Sequence, residues 1–266
     1  MTSSPSTSPL EWVIIGGGPI GVHLAVRLLA TGSIPPSQIR IVDPGEVLLH
    51  RWTTCTSRTG MRFLRSPAVH HLGLVPFELL QFAGRKKRDR RRKGLFTEPY
   101  QRPSLSLFHQ HCESVMHTYG LSDLHICDRV ERIRVGPDLV ELELMNGALT
   151  TANVILALGN SEHPLWPEEA TELKQAGGRV VHLFDEAVPF EPDELPDCVG
   201  ILGGGISAAQ LAVRLADAGK TVTVMARHEP REYQFDSYPG WIGPKLMKGF
   251  WATSDYGRRR EMIQSA

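Results

Sequence analysis

Three consecutive glycines, Gly16-Gly17-Gly18, are followed by Pro19, Ile20 and Gly21, which gives the spacing G-x-G-x-x-G. Glycine at these positions lets a chain turn sharply and brings its backbone against a group that a Cβ would keep away. The chemistry this suits is pyrophosphate binding, with main-chain N–H groups and the positive end of a following helix facing the anion. Asp43 lies 22 residues after Gly21. A carboxylate there accepts hydrogen bonds from ribose hydroxyls and repels a 2′-phosphate. A second run, Gly203-Gly204-Gly205-Ile206-Ser207-Ala208, repeats the pattern with alanine in the last place. Here the residue near the acidic position is Arg227, 19 residues after Ala208. Its guanidinium suits a 2′-phosphate as a bidentate partner, so the second site is expected to take NADP rather than NAD.

Such loops work only when a strand feeds them and a helix leaves them. Trp12-Val13-Ile14-Ile15 is a short apolar run ahead of the first glycines, and Ile20, Leu24, Ala25, Leu28 and Leu29 then recur at helical spacing before Gly32 and the run Ile39 to Val42. The second unit repeats this order with Val199 to Leu202, a helix to Gly219 and Thr221 to Met225. Between them the sequence predicts loops and short helices from 48 to 120, with a helix over Leu105 to Tyr119. Alternation at Val130 to Val135 and Val140 to Leu144, a turn at Asn146-Gly147 and the apolar run Val154 to Leu158 predict an antiparallel meander feeding a buried strand. A further strand is predicted at Arg179 to Leu183. The expected fold class is α/β, with Rossmann-like dinucleotide-binding domains on parallel central sheets, a small antiparallel meander and helical or loop excursions.

Composition sets the frame. The 266 residues are 41% apolar and 22% charged, an ordinary balance for a protein with a buried core, and the formal net charge is zero. The zero conceals one basic run, Arg85 to Lys93, interrupted only by Asp89; it reads as a solvated loop, and without interleaved aromatic residues it is not expected to bind nucleic acid. Cys55, Cys112, Cys127 and Cys198 show no C-x-x-C spacing, which argues against a paired redox thiol, and so against disulfide reduction, and fits a reduced, cytoplasmic setting. His109, His111 and Cys112 are close in sequence, but His109 and His111 fall on different faces of a helix, so no metal is expected. No apolar stretch approaches the ~18 residues of a membrane span, and no G-x-S-x-G or H-E-x-x-H points to a hydrolase.

With these motifs the sequence resembles the two-dinucleotide-binding-domain flavoproteins, and within them the NADPH-dependent flavin monooxygenases, including the N-hydroxylating amine monooxygenases. Leu156-Ala157-Leu158-Gly159-Asn160-Ser161-Glu162-His163-Pro164 is similar to the (L/F)ATG(Y) string and following (H/C)P of that family, with Leu158 and Asn160 in place of the usual threonine and tyrosine. The resemblance implies FAD at Gly16, Gly18, Pro19, Ile20, Gly21 and Asp43, with Trp52 and Gly159 near the flavin and Val130 lending main-chain groups to the adenine. It implies NADP(H) at Gly203, Gly205, Ser207 and Arg227. The domains expected are a disordered lead at 1–10, an FAD-binding domain at 11–165 with the basic loop at 84–94, and an incomplete NADP-binding domain at 166–266. The activity implied is an FAD- and NADPH-dependent oxidoreductase of the monooxygenase type, taking O₂ and a small nucleophilic substrate, with no catalytic side chain singled out. Residues 228–266 contain no third strand-and-glycine unit, whereas the family returns there to complete its flavin domain; the alternative is therefore a truncated or non-catalytic dinucleotide-binding protein of the same fold. No membrane partner is expected, and a homo-oligomer is compatible with the sequence.

Overall fold

The structure, a computed structural model, describes residues 8–84, 94–98, 100–159, 164–185, 188, 190–230, 241 and 244–264. The start of the expected lead, the basic run 85–93 and residues 160–163 of the Leu156 to Pro164 string lie outside the described residues. Contacts divide the chain into Met1–His228 and Glu229–Ala266.

The first unit is built on a sheet in which β1 (Leu10–Ile15), β2 (Ile39–Asp43), β5 (His125–Cys127) and β8 (Gly147–Leu156) run parallel in the order β5-β2-β1-β8. The sheet continues through β7 (Val140–Leu144) to β6 (Val130–Val135), both antiparallel pairings. β1 begins at Leu10, inside the segment expected to be lead. Its side chains alternate between two buried layers, which is why Trp12 to Ile15 is an unbroken apolar run. Ile14 packs with Val22, Ala25 and Val26 of α1 (Pro19–Ala30) and with Leu107, Phe108, Cys112 and Val115 of α4 (Leu105–Thr118). Val13 and Ile15 pack on the other side with Val42, Leu142 and Leu144, so the meander covers that face. The hairpin turn is Met145-Asn146, with Gly147 already paired to Leu144, one residue earlier than the sequence suggested.

The excursion carries α2 (His50–Thr59), α3 (Glu78–Phe82) and the small hairpin β3 (Phe96–Thr97) and β4 (Arg102–Pro103) ahead of α4. Beyond β8, α5 (Glu168–Gln175) is followed by β9 (Cys198–Leu202), α6 (Ile206–Asp217) and β10 (Thr221–Met225), a second parallel strand-helix-strand unit. Ile201, Leu211 and Leu215 close its core with Val199 and Val222, while Leu202 and Met225 are 48% and 49% exposed.

The strand expected at Arg179 to Leu183 is not formed. At its end and just beyond it, an arginine side chain binds the backbone: Arg58 Nη1 donates to Leu183 O at 3.1 Å and to Asp185 O at 2.6 Å, and Nη2 donates to Val188 O at 2.9 Å. The second unit holds α7 (Pro244–Ala252) and α8 (Tyr256–Gln264). Arg259 joins them, with Nε donating to Phe250 O at 3.2 Å and its guanidinium 5.2 Å from the Phe250 ring centre.

Candidate functional site

Because β5, β2, β1 and β8 are parallel, their carboxyl ends lie along one edge of the sheet. Ile15 is level with Val42 and Leu156, and Asp43 is level with Cys127. The first glycine loop, Asp43, the approach to Val130 and the approach to Gly159 thus leave from neighbouring strand ends, the place where open α/β sheets bind ligands. The sequence placed these residues far apart, and the register brings their strand ends together.

Gly16 has φ +112° and its N–H donates to Val42 O at 2.8 Å. A Cβ there would strike the Ala157 carbonyl oxygen, so glycine is required by both conformation and space. A Cβ on Gly21 would strike the Gly16 carbonyl oxygen, and the Ile14 methyl group lies 3.4 Å away, which is how closely α1 packs on β1. Gly18 differs: an added Cβ would meet nothing within 4 Å, so open space faces the loop where a phosphate must approach. Gly18 is also the N-cap of α1, with Pro19 in the first turn, no side-chain cap and no acidic residue to oppose an anion. Ile20 follows, 66% exposed. The loop thus leaves open space beside an uncapped helix N-terminus, the geometry that an anion such as a pyrophosphate needs.

Asp43 holds this loop. Its Oδ2 accepts from Gly17 N–H at 2.6 Å and its Oδ1 from Gly45 N–H at 2.8 Å. Each carboxylate oxygen keeps capacity for a second hydrogen bond, so the ribose contact expected of Asp43 is compatible with this structural one. Leu49 N–H donates to Gly17 O at 2.8 Å, which sets the start of α2 against the same loop. Trp52 is in the first turn of α2, half-buried, with its ring 5.0 Å from Phe108 and 5.2 Å from His109. It packs on α4 and the main core. Val130 opens β6 and packs into the layer with Ile15 and Val42. Gly159 has φ +66° with open space around it, and Leu156 and Leu158 just before it are 60% and 61% exposed. The run Val154 to Leu158, expected as a buried strand, thus ends at Leu156 with these two apolar side chains uncovered beside the glycine turn.

The second loop reproduces the first. Gly203 has φ +139° and its N–H donates to Met225 O at 2.9 Å, as Gly16 does to Val42. A Cβ on Gly205 would meet nothing within 4 Å, and Gly205 caps α6 without a side-chain cap or an acidic first turn. Ser207 lies in that first turn, half-buried. Arg227, two residues beyond β10, is exposed. Both loops share a first glycine of positive φ, open space at the third glycine and an uncapped helix N-terminus, but the crowding differs: a Cβ on Gly203 would have nothing closer than Ala208 at 3.9 Å, and in the second loop it is Gly204 that a Cβ would press against Ala226.

Two arginines tie the halves of this unit. Arg214 of α6 donates Nη1 to Ser57 O at 3.0 Å and to Arg58 O at 2.8 Å, the last carbonyls of α2. Arg58, from the same turn, binds the carbonyls of Leu183, Asp185 and Val188 as described. A cation at a helix C-terminus meets both the unpaired carbonyls and the negative end of the dipole.

The His109, His111 and Cys112 group divides as expected from helical spacing. His109 faces Trp52, whereas His111 is 1% exposed among His71, Phe82 and Glu78, with Nε2 3.3 Å from Glu78 Oε1. Burial, reinforced by His71 and opposed by Glu78, lowers the His111 pKa from its usual 6.5. Burial, with Glu113, pushes the Cys112 thiol up to about 12, so it is not a thiolate near neutral pH. Among the described residues no group of three His, Cys, Asp or Glu side chains could hold a metal ion, and no helix is long and apolar enough to cross a membrane.

Solved structures share this fold. The ornithine hydroxylase of Pseudomonas aeruginosa matches with a TM-score of 0.70 at 18% identity, over 97% of this chain and 64% of that one. The bacillithiol disulfide reductase of Staphylococcus aureus matches at 0.54 and 18%, over 91% and 64%. OTEMO, in a complex with FAD and NADP, matches at 0.58 and 17%, over 93% and 46%. The chain thus spans less than two thirds of the length of these proteins. No curated protein sequence matches it. The sequence model of one family matches residues 13–264, from β1 through both glycine loops, and the chain belongs to the pyridine nucleotide-disulphide oxidoreductase family.

Proposed function

We propose that the chain is an FAD-dependent, NADPH-using oxidoreductase of the flavin monooxygenase type, acting on a small nucleophilic substrate with O₂. The observation that carries this reading is the duplicated loop: two glycine turns, two uncapped helix N-termini, and unlike residues beside them, Asp43 and Arg227. Residues 11–165 form the FAD-binding part and residues 166–266 the NADP-binding part. Gly16, Gly18, Pro19, Ile20 and Gly21 hold the pyrophosphate of FAD, Asp43 the ribose, and Val130 the adenine through its backbone. Gly203, Gly205 and Ser207 hold the pyrophosphate of NADP(H), and Arg227 selects its 2′-phosphate.

When bound, the two cofactors supply hydride transfer and reaction with O₂. The chain's own work is binding, orientation and exclusion of water. Leu156 and Leu158, exposed beside Gly159, provide an apolar surface for a flat ring. A paired-thiol reaction is disfavoured, because the cysteines show no C-x-x-C spacing and the buried Cys112 is held in its thiol form.

The test is a flavin absorbance spectrum of the purified protein followed by anaerobic titration with NADPH. The expected result is an oxidised flavin band, present or restored by added FAD, that disappears with NADPH and less readily with NADH. A protein that takes up no FAD overturns the reading. One that binds both cofactors yet consumes no NADPH in air is a non-catalytic dinucleotide-binding protein.

A further inference from the structure

We propose that Asp128 is a positioning residue for the adenosine end of the first dinucleotide site; the role rests on the FAD reading above. Asp128 occupies the step between β5 and β6, and at 9% exposure it is a buried carboxylate. A buried carboxylate is costly unless hydrogen bonds replace its water, and here they do. Oδ1 accepts from Arg129 N–H at 2.7 Å and from Asn146 Nδ2 at 3.3 Å, and Oδ2 accepts from Asn146 N–H at 3.1 Å. Its own N–H donates to Ile126 O at 2.9 Å and Asp43 O at 3.2 Å, and Met145 N–H donates to Arg129 O at 2.9 Å.

One residue therefore fastens the end of β2, the start of β6 and the hairpin turn between β7 and β8. The residues joined in this way are those that an adenosine would touch. Asp43 is the ribose partner, and Val130, one residue beyond Arg129, is the adenine partner. With Val130 packed against Ile15 and Val42 from inside, the clasp fixes the spacing between the Asp43 carboxylate and the Arg129-Val130 backbone. Main-chain contacts to a base have no side chain to adjust, so their geometry depends wholly on such a clasp.

The experiment compares FAD affinity, by fluorescence titration of the apoprotein, in the wild type, Asp128→Asn, Asp128→Ala and a control, Asn153→Ala. The control removes one exposed hydrogen bond, Asn153 Nδ2 to Glu11 O at 2.9 Å, level with Trp12 and three residues short of the ligand edge at Leu156. Asp128→Asn and Asp128→Ala are expected to raise the Kd for FAD by about tenfold to a hundredfold, while Asn153→Ala leaves it unchanged. At saturating FAD the visible spectrum of the Asp128 variants should superimpose on that of the wild type, because the isoalloxazine end is untouched. Wild-type affinity in Asp128→Asn overturns the inference, as does a changed saturated spectrum with a loss of thermal stability larger than the control's, which would mark general loosening. If Asp128→Ala does not fold, Asp128→Asn carries the test. Absence of FAD binding in the wild type is a separate outcome, and it overturns the functional reading and this inference with it.

Discussion

Gly16 tolerates no side chain, since its φ of +112° and the adjacent Ala157 carbonyl act together. Gly16→Ala is expected to lower unfolding stability by about 2 kcal/mol or more, measured by urea denaturation, because both a disfavoured conformation and a collision must be relieved. Asp43→Asn removes one acceptor from the Gly17 and Gly45 pair and the charge that faces the ribose; FAD affinity should fall by about tenfold or more in a fluorescence titration. His111 gives a pH dependence of definite sign. Its folded pKa lies below the usual 6.5, so the stability that neutral His111 contributes is complete above about pH 6.5 and is lost as pH falls towards the folded value. Thermal midpoints between pH 8 and 5 should drop on the acid side, and His111→Gln should flatten that drop. His71 and Glu78 are the other titratable groups facing the ring, and Glu78, which favours the charged form, limits the size of the effect. The glycines and Asp43 were legible in the sequence because their meaning lies in short spacings. Asp128 was not, because its partner Asn146 is fixed only by the hairpin register.

At the scale of elements, the helices and paired strands were legible wherever a local period decided them, as in α1, α4, α6 and the meander. The predicted strand at Arg179 to Leu183 shows where that reasoning ends. Apolar residues recur there, but a strand needs a neighbouring strand, and the backbone partner at its end is the side chain of Arg58, distant in sequence, at Leu183 O. The same turn of α2 is capped by Arg214 from the second glycine unit, so the end of one helix joins the two halves. Arg214→Ala should leave FAD affinity unchanged and raise the rate of proteolytic cleavage near residue 60. It should also slow flavin reduction by NADPH several-fold in stopped-flow absorbance, because the second loop is no longer held in place.

At the scale of the molecule, the two loops give two independent handles on stability. A ligand that binds only the folded chain stabilises it by about 2.7 kcal/mol at a hundred times its Kd. Saturating FAD should therefore raise the thermal midpoint in a melting scan, and NADP⁺ should add a further increment that Arg227→Ser reduces. The two-stranded sheet of β9 and β10 bears on how the protein must be handled. Among the described residues each strand has a neighbour on one side only, and Leu202, Val224 and Met225 are exposed on it. Open backbone edges flanked by apolar side chains recruit other strands, so this chain expressed alone should tend to self-associate through that sheet as concentration rises. Charged substitutions at Val224 or Met225 would be the first changes to try for a soluble, monomeric preparation, since neither residue belongs to the glycine loops.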